Sequence, residues 1–349
     1  MSQATPVDIL VMGAGSIGCF VGGKLASQRL RVLFVGRPRM LDAVARHGIT
    51  LTDLDGSKVH VAPNSDMLAD HVPPGVKPAL VLLCVKSAAT AEAAAELAAA
   101  LPADTPVLSL QNGVANAEVA ARYAPKLRIL PGMVPFNVAE VGLGAFHRGT
   151  PGRIAVQRDR ALRAWLAVFD RAGVPLARYD DMRPVLWSKL LINLNNPVNA
   201  LSGLSLRDEL MDRGYRRCLA ALIDEALQVL AWAEIAPARI ATVPPHRLPL
   251  VLRLPTPLFR MVAARMLRID PKARSSMADD LRRGRPTEID ELCGAVVRLA
   301  HSLGQTAPLN AKMIELVHAR PTQDEHVTPD TMLSQLGLAK PSALPGSTI

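Results

Sequence analysis

Short apolar runs alternate with longer helix-forming stretches through the first half of the chain. The runs at 8–12, 31–35 and 80–84 are rich in Val, Leu and Ile, which is typical of parallel strands that are buried on both faces. The Ala- and Leu-rich stretches 88–101 and 219–233 favour helix. Because strands alternate with helices, the pattern predicts an α/β domain at the start of the chain.

This alternation predicts a regular order of elements up to about residue 157. The predicted elements are strands at 7–12, 31–35, 79–85, 106–110 and 127–132, helices ending near 27, at 87–101 and near 115–122, a small β-excursion at 49–62, and short antiparallel strands at 140–157.

From about residue 160 the pattern is almost wholly helical, and a boundary is predicted near Tyr179–Pro184. We therefore predict an α/β domain over 1–181, an all-α domain over 182–320 and a tail over 321–349 that is only partly ordered. The Pro-rich stretch 243–257 is predicted to be a connecting loop that interrupts the helical domain.

Composition excludes several classes of protein. The chain has 349 residues, enough for two domains of ordinary size. It contains no uninterrupted apolar stretch of about 18 residues, and its start lacks the basic and hydrophobic regions of a secretory signal, so neither a membrane span nor export is predicted. The four cysteines are scattered, without CxxC or HExxH spacing, so no metal site is predicted and the expected compartment is the cytoplasm.

The formal net charge of +9 raises the question of a nucleic-acid partner. The Lys and Arg residues are spread along the chain, with a short concentration only at Arg282, Arg283 and Arg285, and few aromatic residues are present for stacking. We therefore expect no nucleic-acid partner. An anionic cofactor and a small anionic substrate would use part of the charge.

A GxGxxG motif follows the first predicted strand and opens a helix; it consists of Gly13, Ala14, Gly15, Ser16, Ile17 and Gly18. In this context Gly13 permits the tight turn, Gly15 lets the backbone approach a pyrophosphate, and Gly18 lets the helix pack close to the sheet. The helix N-terminus favours phosphate binding. The motif predicts a Rossmann-type dinucleotide site, the alternative being a glycine-rich turn without a ligand.

The end of the second strand indicates which dinucleotide binds. An NAD enzyme usually has Asp or Glu there, whereas this chain has Gly36 and Arg37, with Arg39 two positions on. Guanidinium groups attract a 2′-phosphate, so NADP(H) is the predicted cofactor. The alternative is that both arginines point into water. Lys86 and the pair Gln111-Asn112 also follow predicted strands, at the edge where open α/β sheets bind ligands.

The segment 186–197, LWSKLLINLNNP, places Lys189 and Asn193 four residues apart and hence on one face of a helix. Their apolar neighbours predict that both lie in an apolar wall, where a lysine is costly unless it has a partner or a task. The alternative is a lysine that extends to the helix edge.

Five motifs occur here in a fixed order, namely GAGSIG, CVKS, LQNGV, LWSKLLIN and SSMADDLRRGRPTEIDELCG. Together they resemble the ketopantoate reductase (2-dehydropantoate 2-reductase) family over residues 8–320. The resemblance implies an NADPH-dependent oxidoreductase that reduces ketopantoate to pantoate for pantothenate and coenzyme A synthesis.

The same resemblance implies roles for individual residues. Lys189 is similar to the general acid that protonates the developing alkoxide. Asn193, Asn196 and Ser276 resemble residues that bind the substrate, and Glu288 resembles the active-site glutamate, which also contacts the cofactor. Without the resemblance, Ser276 would be interpreted as a helix cap and Glu288 as a surface acid.

Three further residues are assigned to the cofactor by the resemblance. Asn112 is similar to the residue that bridges nicotinamide and substrate, and Lys86 to a lysine on the cofactor side. By a looser alignment, Ala139 falls in a loop that lines the cofactor.

Two departures from the family pattern concern the substrate. Asn196-Pro197 comes one residue earlier after the lysine than the family's Asn-Pro pair, and the segment 205–210 replaces a Pro-Asn-Gly-Glu-Leu stretch, so that its asparagine is missing. Two alternatives therefore remain open, a reductase of another 2-keto or 3-hydroxy acid and a non-catalytic NADP-sensing protein. A monomer and a homodimer are both compatible with the pattern.

Overall fold

The computed structural model describes residues 6–240, 243–264, 273–319 and 326–339. The chain divides into two compact units, Met1–Lys189 and Leu190–Ile349. None of the helices in the described ranges combines the length and the apolar character that crossing a membrane requires.

The first unit contains all the described strands. These are β1 (Ile9–Met12), β2 (Val32–Val35), β3 (Ile49–Thr52), β4 (Lys58–Val61), β5 (Leu68–Ala69), β6 (Leu80–Leu83), β7 (Pro106–Ser109), β8 (Arg128–Met133), β9 (Val138–Gly142), β10 (Ala145–Arg148), β11 (Ile154–Gln157) and β12 (Leu176–Tyr179). Its helices are α1 (Ser16–Ala26), α2 (Pro38–His47), α3 (Thr90–Ala100), α4 (Asn116–Tyr123), α5 (Leu166–Arg171) and most of α6 (Arg183–Asn193).

Eight strands form one sheet in the order β12-β11-β8-β7-β6-β1-β2-β5. From β8 to β5 every pair is parallel, and β11 runs antiparallel to β8. The parallel arrangement confirms the α/β domain that the alternation of apolar runs and helices predicts. Its carboxyl ends, which bind ligands in such sheets, therefore lie along one edge.

The central strand shows why these runs form buried parallel strands. All four residues of β1 are buried. Because successive side chains point to opposite faces, Ile9 and Val11 join one apolar core while Leu10 and Met12 join another. A strand that is covered on both faces needs an apolar residue at every position, so its sequence shows no alternation.

A second sheet has the order β4-β3-β10-β9 and packs against α1. It contains the predicted β-excursion, and β9 and β10 pair antiparallel as expected. Buried Asp53, next to β3, bonds Lys24 of α1 at 3.1 Å and Arg148 of β10 at 2.6 Å. Burial alone would raise the pKa of Asp53, but hydrogen bonds from the Leu54 N–H, Arg148 and Lys24 hold it below its usual value.

The expectation of an almost wholly helical chain after residue 160 is wrong at β12. This strand extends the large sheet by pairing parallel with β11. It has only four residues and includes the exposed Arg178, so its sequence alone does not mark it as a strand. Pairing with a strand about twenty residues earlier, rather than local propensity, holds it in place.

The second unit is helical in its described part, which confirms the predicted all-α region after the sheet domain. After the end of α6 it contains α7 (Asn195–Ser202), α8 (Leu206–Met211), α9 (Arg213–Trp232), α10 (Leu248–Arg253), α11 (Thr256–Val262), α12 (Ser276–Arg282), α13 (Ile289–Ser302), α14 (Pro308–His318) and α15 (Pro329–Gln335).

The Pro-rich stretch 243–257 is not the connecting loop that the sequence predicts. Within it lie α10 and the start of α11, each with a proline in its first turn, where the missing N–H costs nothing. The fully buried Arg216 of α9 holds these two helices against α9. Its guanidinium donates to the carbonyl oxygens of Leu252 and Leu254 and lies 4.2 Å from the ring centroid of Phe259.

Part of the predicted tail is described. Residues 326–339 include α15, which packs on α9, and the Tyr215 hydroxyl donates to the Val327 carbonyl at 2.8 Å. Residues 320–325 and 340–349, over which the sequence also predicts a partly ordered tail, lie outside the described residues.

Candidate active site

The glycine motif turns the chain sharply between β1 and α1. Gly13 has φ +107°, a conformation that L side chains rarely adopt, and a Cβ there would lie 2.6 Å from the Val85 nitrogen. A Cβ on Gly18 would lie 2.1 Å from the Gly13 carbonyl oxygen and 2.9 Å from Val11 Cγ1. Both glycines are therefore required by the packing of loop, helix and sheet, as the motif predicts.

Gly15 differs from these two glycines. It occupies the N-cap of α1, and a Cβ built on it would meet nothing within 4 Å. No described side chain caps the helix, and the first N–H groups of any helix have no intrahelical acceptor. Open space beside uncapped N–H groups fits the phosphate oxygens of a dinucleotide, so Gly15, Ser16 and Ile17 could hold a pyrophosphate.

The end of β2 lies next to this loop. The N–H groups of Gly13 and Ala14 donate to the Val35 carbonyl oxygen at 2.9 and 3.0 Å. A Cβ on Gly36 would lie 2.6 Å from the Ala14 Cβ, so the two turns are in close contact. Arg37 follows directly, exposed at the N-cap of α2, one residue beyond the close contact.

The two arginines of this turn have different surroundings. Arg39 forms an ion pair with Glu140 of β9, with 3.7 Å between Nη2 and Oε1.

Ala139, the neighbour of Glu140, pairs with His147 in the small sheet. Ala139 therefore lies in a strand and not in the loop that the resemblance implies, because the segment 138–142 forms the edge of the four-stranded sheet.

Lys86 and Asn112 follow β6 and β7 at the same edge of the sheet. Lys86 is exposed and Asn112 is partly buried. The Asn112 carbonyl oxygen accepts hydrogen bonds from the side chains of Ser87, at 3.3 Å, and Asn116. The structure thus brings together four sequence-predicted positions, the glycine loop, Arg37, Lys86 and Asn112.

A buried hydrogen-bond network beneath these residues was missed by the sequence reasoning. Gln111 is its centre, since its Nε2 donates to the Val85 carbonyl at 3.0 Å and to Thr90 Oγ1 at 2.6 Å, while its Oε1 accepts from Ser109. Thr90 donates in turn to Asn116. The network joins the loops after β6 and β7, so Gln111 is structural. Its place directly after a buried strand was the available signal.

Lys189 lies on α6 at the carboxyl end of β8. Its Nζ donates to the carbonyl oxygen of Pro135, which follows that strand, at 3.4 Å. The side chain is partly buried between the buried residues Ser188 and Leu190. Burial lowers the pKa of Lys189 to about 8. An ammonium with this pKa can donate a proton near neutral pH.

In the second unit, Asn193 and Asn196 lie on either side of the junction between α6 and α7. Asn193 is buried and Asn196 is partly buried. The Asn196 carbonyl oxygen accepts a hydrogen bond from the Ser275 hydroxyl at 3.2 Å, which brings the start of α12, with Ser276, next to the start of α7. Asn196 and Ser276, two of the predicted substrate residues, thus come from two helices in contact, α7 and α12.

Ser276 does not cap its helix, contrary to what its sequence position alone indicates. Ser275 is the N-cap, and its hydroxyl accepts from the Ala278 N–H at 3.1 Å. Ser276 occupies the first helical position and is exposed. Its hydroxyl is therefore available to another molecule.

Glu288 stands at the N-cap of α13 and is partly buried. The four cysteines carry no disulfide, and burial raises the pKa of Cys19, beside the nucleotide loop, to about 12. Among the described residues no cluster of three or more His, Cys, Asp or Glu could hold a metal ion.

Comparison with known proteins agrees with this arrangement. Residues 9–160 match the family described as "Ketopantoate reductase PanE/ApbA", and residues 181–321 match the C-terminal region of the same family. The 2-dehydropantoate 2-reductase of Halobacterium salinarum is 29% identical over 320 residues, which are 88% of this chain and 97% of that protein.

Solved structures show the same fold. The PanE/ApbA family ketopantoate reductase from Ralstonia eutropha JMP134 has a TM-score of 0.75 and 28% identity, over 89% of this chain and 97% of that one. A D-mandelate dehydrogenase in complex with NADH and anilino(oxo)acetate has a TM-score of 0.74 at 20% identity, over 90% and 97%.

The two matched regions together span most of the chain and include all the motifs named above. The chain therefore belongs to the ketopantoate reductase family and is an oxidoreductase that acts on CH–OH groups with a nicotinamide cofactor.

Proposed function

We propose that this protein reduces the 2-keto group of 2-dehydropantoate to pantoate with NADPH, in pantothenate and coenzyme A biosynthesis. The observation that carries the proposal is the position of Lys189, whose ammonium lies at the carboxyl edge of the sheet that bears the nucleotide loop. Family membership supports the same reaction, since relatives of similar length are 2-dehydropantoate 2-reductases.

The cofactor residues of the proposal are Gly15, Ser16 and Ile17 for the pyrophosphate and Arg37 for the 2′-phosphate. The open space at Gly15 and the uncapped start of α1 fit the first group, and the exposed Arg37 fits the second. Lys86, Asn112 and Glu288 complete the proposed contacts. When bound, NADPH supplies the hydride.

Lys189 provides the proton. As the keto carbon accepts the hydride, negative charge develops on its oxygen, and the Lys189 ammonium stabilises this charge and then protonates the oxygen. Partial burial strengthens the attraction and brings the pKa close to the working pH. Asn193, Asn196 and Ser276 are proposed to hold the substrate carboxylate and hydroxyl, and Glu288 to act with Lys189.

A second candidate is a reductase of another 2-keto acid. The observation in its favour is α8, because the segment 205–210 lacks the family's asparagine and carries the exposed Arg207 instead. A guanidinium attracts an anionic substrate but cannot accept a hydrogen bond from a hydroxyl as an asparagine carbonyl can. This exchange permits a substrate that lacks the hydroxyl of ketopantoate.

The deciding experiment measures NADPH oxidation with ketopantoate and with keto acids of the same size that lack its hydroxyl, and repeats both assays with NADH. Ketopantoate is expected to give the highest kcat/KM, with NADPH. A hydroxyl-free acid that is reduced faster favours the second candidate. Tight NADPH binding without oxidation by any keto acid would indicate a non-catalytic sensor.

Two further predictions accompany the proposal. The cytoplasm stays the expected compartment, and the free state of all four cysteines supports it. Both a monomer and a homodimer are compatible with the proposal, and sedimentation velocity of the purified protein over a range of concentrations distinguishes them.

A further inference from the structure

A buried carboxyl group lies in the second unit next to the proposed substrate residues. Glu209 of α8 is fully buried. The side-chain amides of Asn195 and Asn199, both on α7, donate to its Oε2, each at 3.1 Å. Asn199 continues the network, because its Oδ1 accepts from the Ser275 N–H at 2.9 Å. Glu209 is thereby linked to the start of α7 and, through Asn199, to the start of α12.

The hydrogen bonds are distributed unevenly over the carboxyl group. Oε2 accepts both amide N–H groups, whereas Oε1 is buried and has no hydrogen-bond partner among the described residues. Asn195 Oδ1 is likewise buried and has no hydrogen-bond partner among the described residues. Ionised Glu209 would bury a bare negative oxygen, which costs far more free energy than burying a neutral group.

A proton on Oε1 accounts for both oxygens. In a neutral carboxylic acid the carbonyl oxygen accepts and the hydroxyl donates, so Oε2 serves as the acceptor of two N–H groups and Oε1 as a donor. The unpartnered Asn195 Oδ1 belongs to the same amide whose nitrogen already bonds Oε2, and it is an acceptor that needs a donor. A protonated Oε1 would supply such a donor.

We propose that Glu209 is a positioning residue for the proposed reduction, which in its neutral acid form holds α7 and α12 so that Asn196 and Ser276 are set to receive the substrate. The inference rests on the proposed function. Glu209 bonds Asn195, which directly precedes Asn196 in the chain. It also bonds Asn199, whose side chain bonds Ser275, the residue before Ser276.

The surroundings of Glu209 keep it neutral. Burial raises its pKa to about 8, against the two amide hydrogen bonds, which lower it. On α9, Asp212, Tyr215 and Cys218 face the same region; the Arg216 guanidinium is occupied by carbonyl oxygens such as that of Leu210.

The remaining charged or titratable groups of this region lie just before α12, on α8 itself and beyond α14. Arg274 donates to the Gly203 carbonyl at 2.7 Å, and the His326 ring lies against Gly203. Asp208 is exposed and accepts from Ser205. None of these groups forms an ion pair with Glu209 in the described part of the chain.

The test compares Glu209→Gln with the wild type from pH 6 to pH 9. A glutamine side chain has a carbonyl oxygen that can accept from Asn195 and Asn199 and an N–H that can donate to Asn195 Oδ1. It therefore mimics the neutral carboxylic acid and not the ionised carboxylate. At pH 7 the variant is expected to keep KM and kcat within about twofold of the wild type. Above pH 8 the wild-type KM for the keto acid should rise about tenfold per pH unit, while the variant's KM stays level.

The change in kcat with pH is expected to be the same in both proteins, which separates this effect from the protonation of Lys189. Asp208→Asn, an exposed acid on the same helix, is the matched control and should follow the wild type. A Glu209→Gln KM that is raised tenfold at pH 7, or an identical KM profile in both proteins, overturns the proposal.

A second measurement is independent of turnover. The infrared difference spectrum of wild type minus Glu209→Gln should show the carbonyl stretch of a protonated carboxyl group at pH 7 and lose it by pH 9. Carboxylate bands at pH 7 overturn the proposal even if the enzyme is active. A wild type that reduces no keto acid refutes the proposed function and with it the positioning role, whereas the infrared band then still reports the neutral acid.

Discussion

Lys189 Nζ donates a hydrogen bond to the carbonyl oxygen of Pro135 across 54 residues of sequence, at 3.4 Å. The bond ties α6 to the turn after β8, so the ammonium is fixed at the carboxyl edge of the sheet before any substrate arrives. At 3.4 Å this is a long hydrogen bond, which a developing alkoxide can replace at small cost. The lysine is thus held in place without being committed to a strong partner.

Removing this ammonium should abolish most of the turnover and leave cofactor binding intact. We expect Lys189→Ala to lower kcat by about 10²–10⁴-fold, the range typical of a lost general acid. The NADPH dissociation constant, measured by fluorescence titration, should change by less than about threefold because no phosphate contact is lost.

Lys312→Ala is the matched control, since this exposed lysine of α14 pairs only with Glu315 among the contacts described. It should retain wild-type kcat. Wild-type turnover in Lys189→Ala would remove the lysine from the mechanism, and a loss of NADPH affinity would instead assign it to the cofactor.

The activity should fall on the alkaline side at a lower pH than a free lysine would give. Burial lowers the pKa of Lys189 to about 8, and only the protonated form donates. In Glu209→Gln, where Lys189 is the group expected to titrate in this range, kcat/KM should therefore decline about tenfold per pH unit above pH 8, whereas an unperturbed lysine would hold it to about pH 10.4. A flat profile to pH 10 contradicts it.

The lowered pKa of Lys189 also affects the stability of the fold. Above pH 8 a rise in pH lowers the activity but increases the free energy of unfolding. Because the folded pKa lies below the unfolded one, the folded state loses its proton first, and the contribution of Lys189 to stability increases as pH rises from about 8 to 10.5. Lys189→Met should raise Tm at pH 7, and its advantage should shrink above pH 8. A constant difference in calorimetry would contradict the burial of the charge.

How much the sequence predicts depends on whether the determining contacts are local. The glycine turn, Arg37 and Lys86 follow buried strands directly, so local pattern places them at the correct edge. The strand β12 depends on pairing with β11, and the helices α10 and α11 on the guanidinium of Arg216, which are long-range contacts that single-residue propensities do not contain.

The candidate site shows the same division. Lys189 and Asn193 could be proposed from helical spacing, and Gln111 could be placed at the sheet edge, but its structural role and the whole of Glu209's part could not be read from the sequence. Their importance comes from burial and from partners on other elements. Ser275 and Ser276 are adjacent and chemically identical, so only the backbone of α12 decides that the first caps the helix.

Gly15 and Gly18 of the nucleotide-binding motif should respond differently to the addition of one methyl group. At Gly15 a Cβ meets nothing within 4 Å, and its φ of −90° suits alanine. Gly15→Ala should therefore keep the wild-type Tm while raising the NADPH dissociation constant at least about tenfold, because the methyl occupies the space beside the helix N–H groups.

Gly18→Ala is the matched comparison. Its Cβ would lie 2.1 Å from a backbone carbonyl oxygen that cannot move without displacing the loop. We expect a loss of about 1–3 kcal/mol or more in the free energy of unfolding, measured with urea, together with the loss of NADPH binding. Equal stability losses in both variants would show that Gly15 is needed by the fold rather than by the ligand.

Arg37 should decide between NADPH and NADH. A hydrogen bond to a charged group contributes about 1.5–3 kcal/mol, so Arg37→Ala should raise the NADPH dissociation constant about tenfold to a hundredfold. NADH binding should be unchanged because NADH lacks the 2′-phosphate. Arg39→Ala is the control, since Arg39 is engaged with Glu140 and should matter less than about threefold. Because both arginines carry the same charge, an equal loss in the two variants would mean that the field of the turn, and not a contact from Arg37, attracts the phosphate.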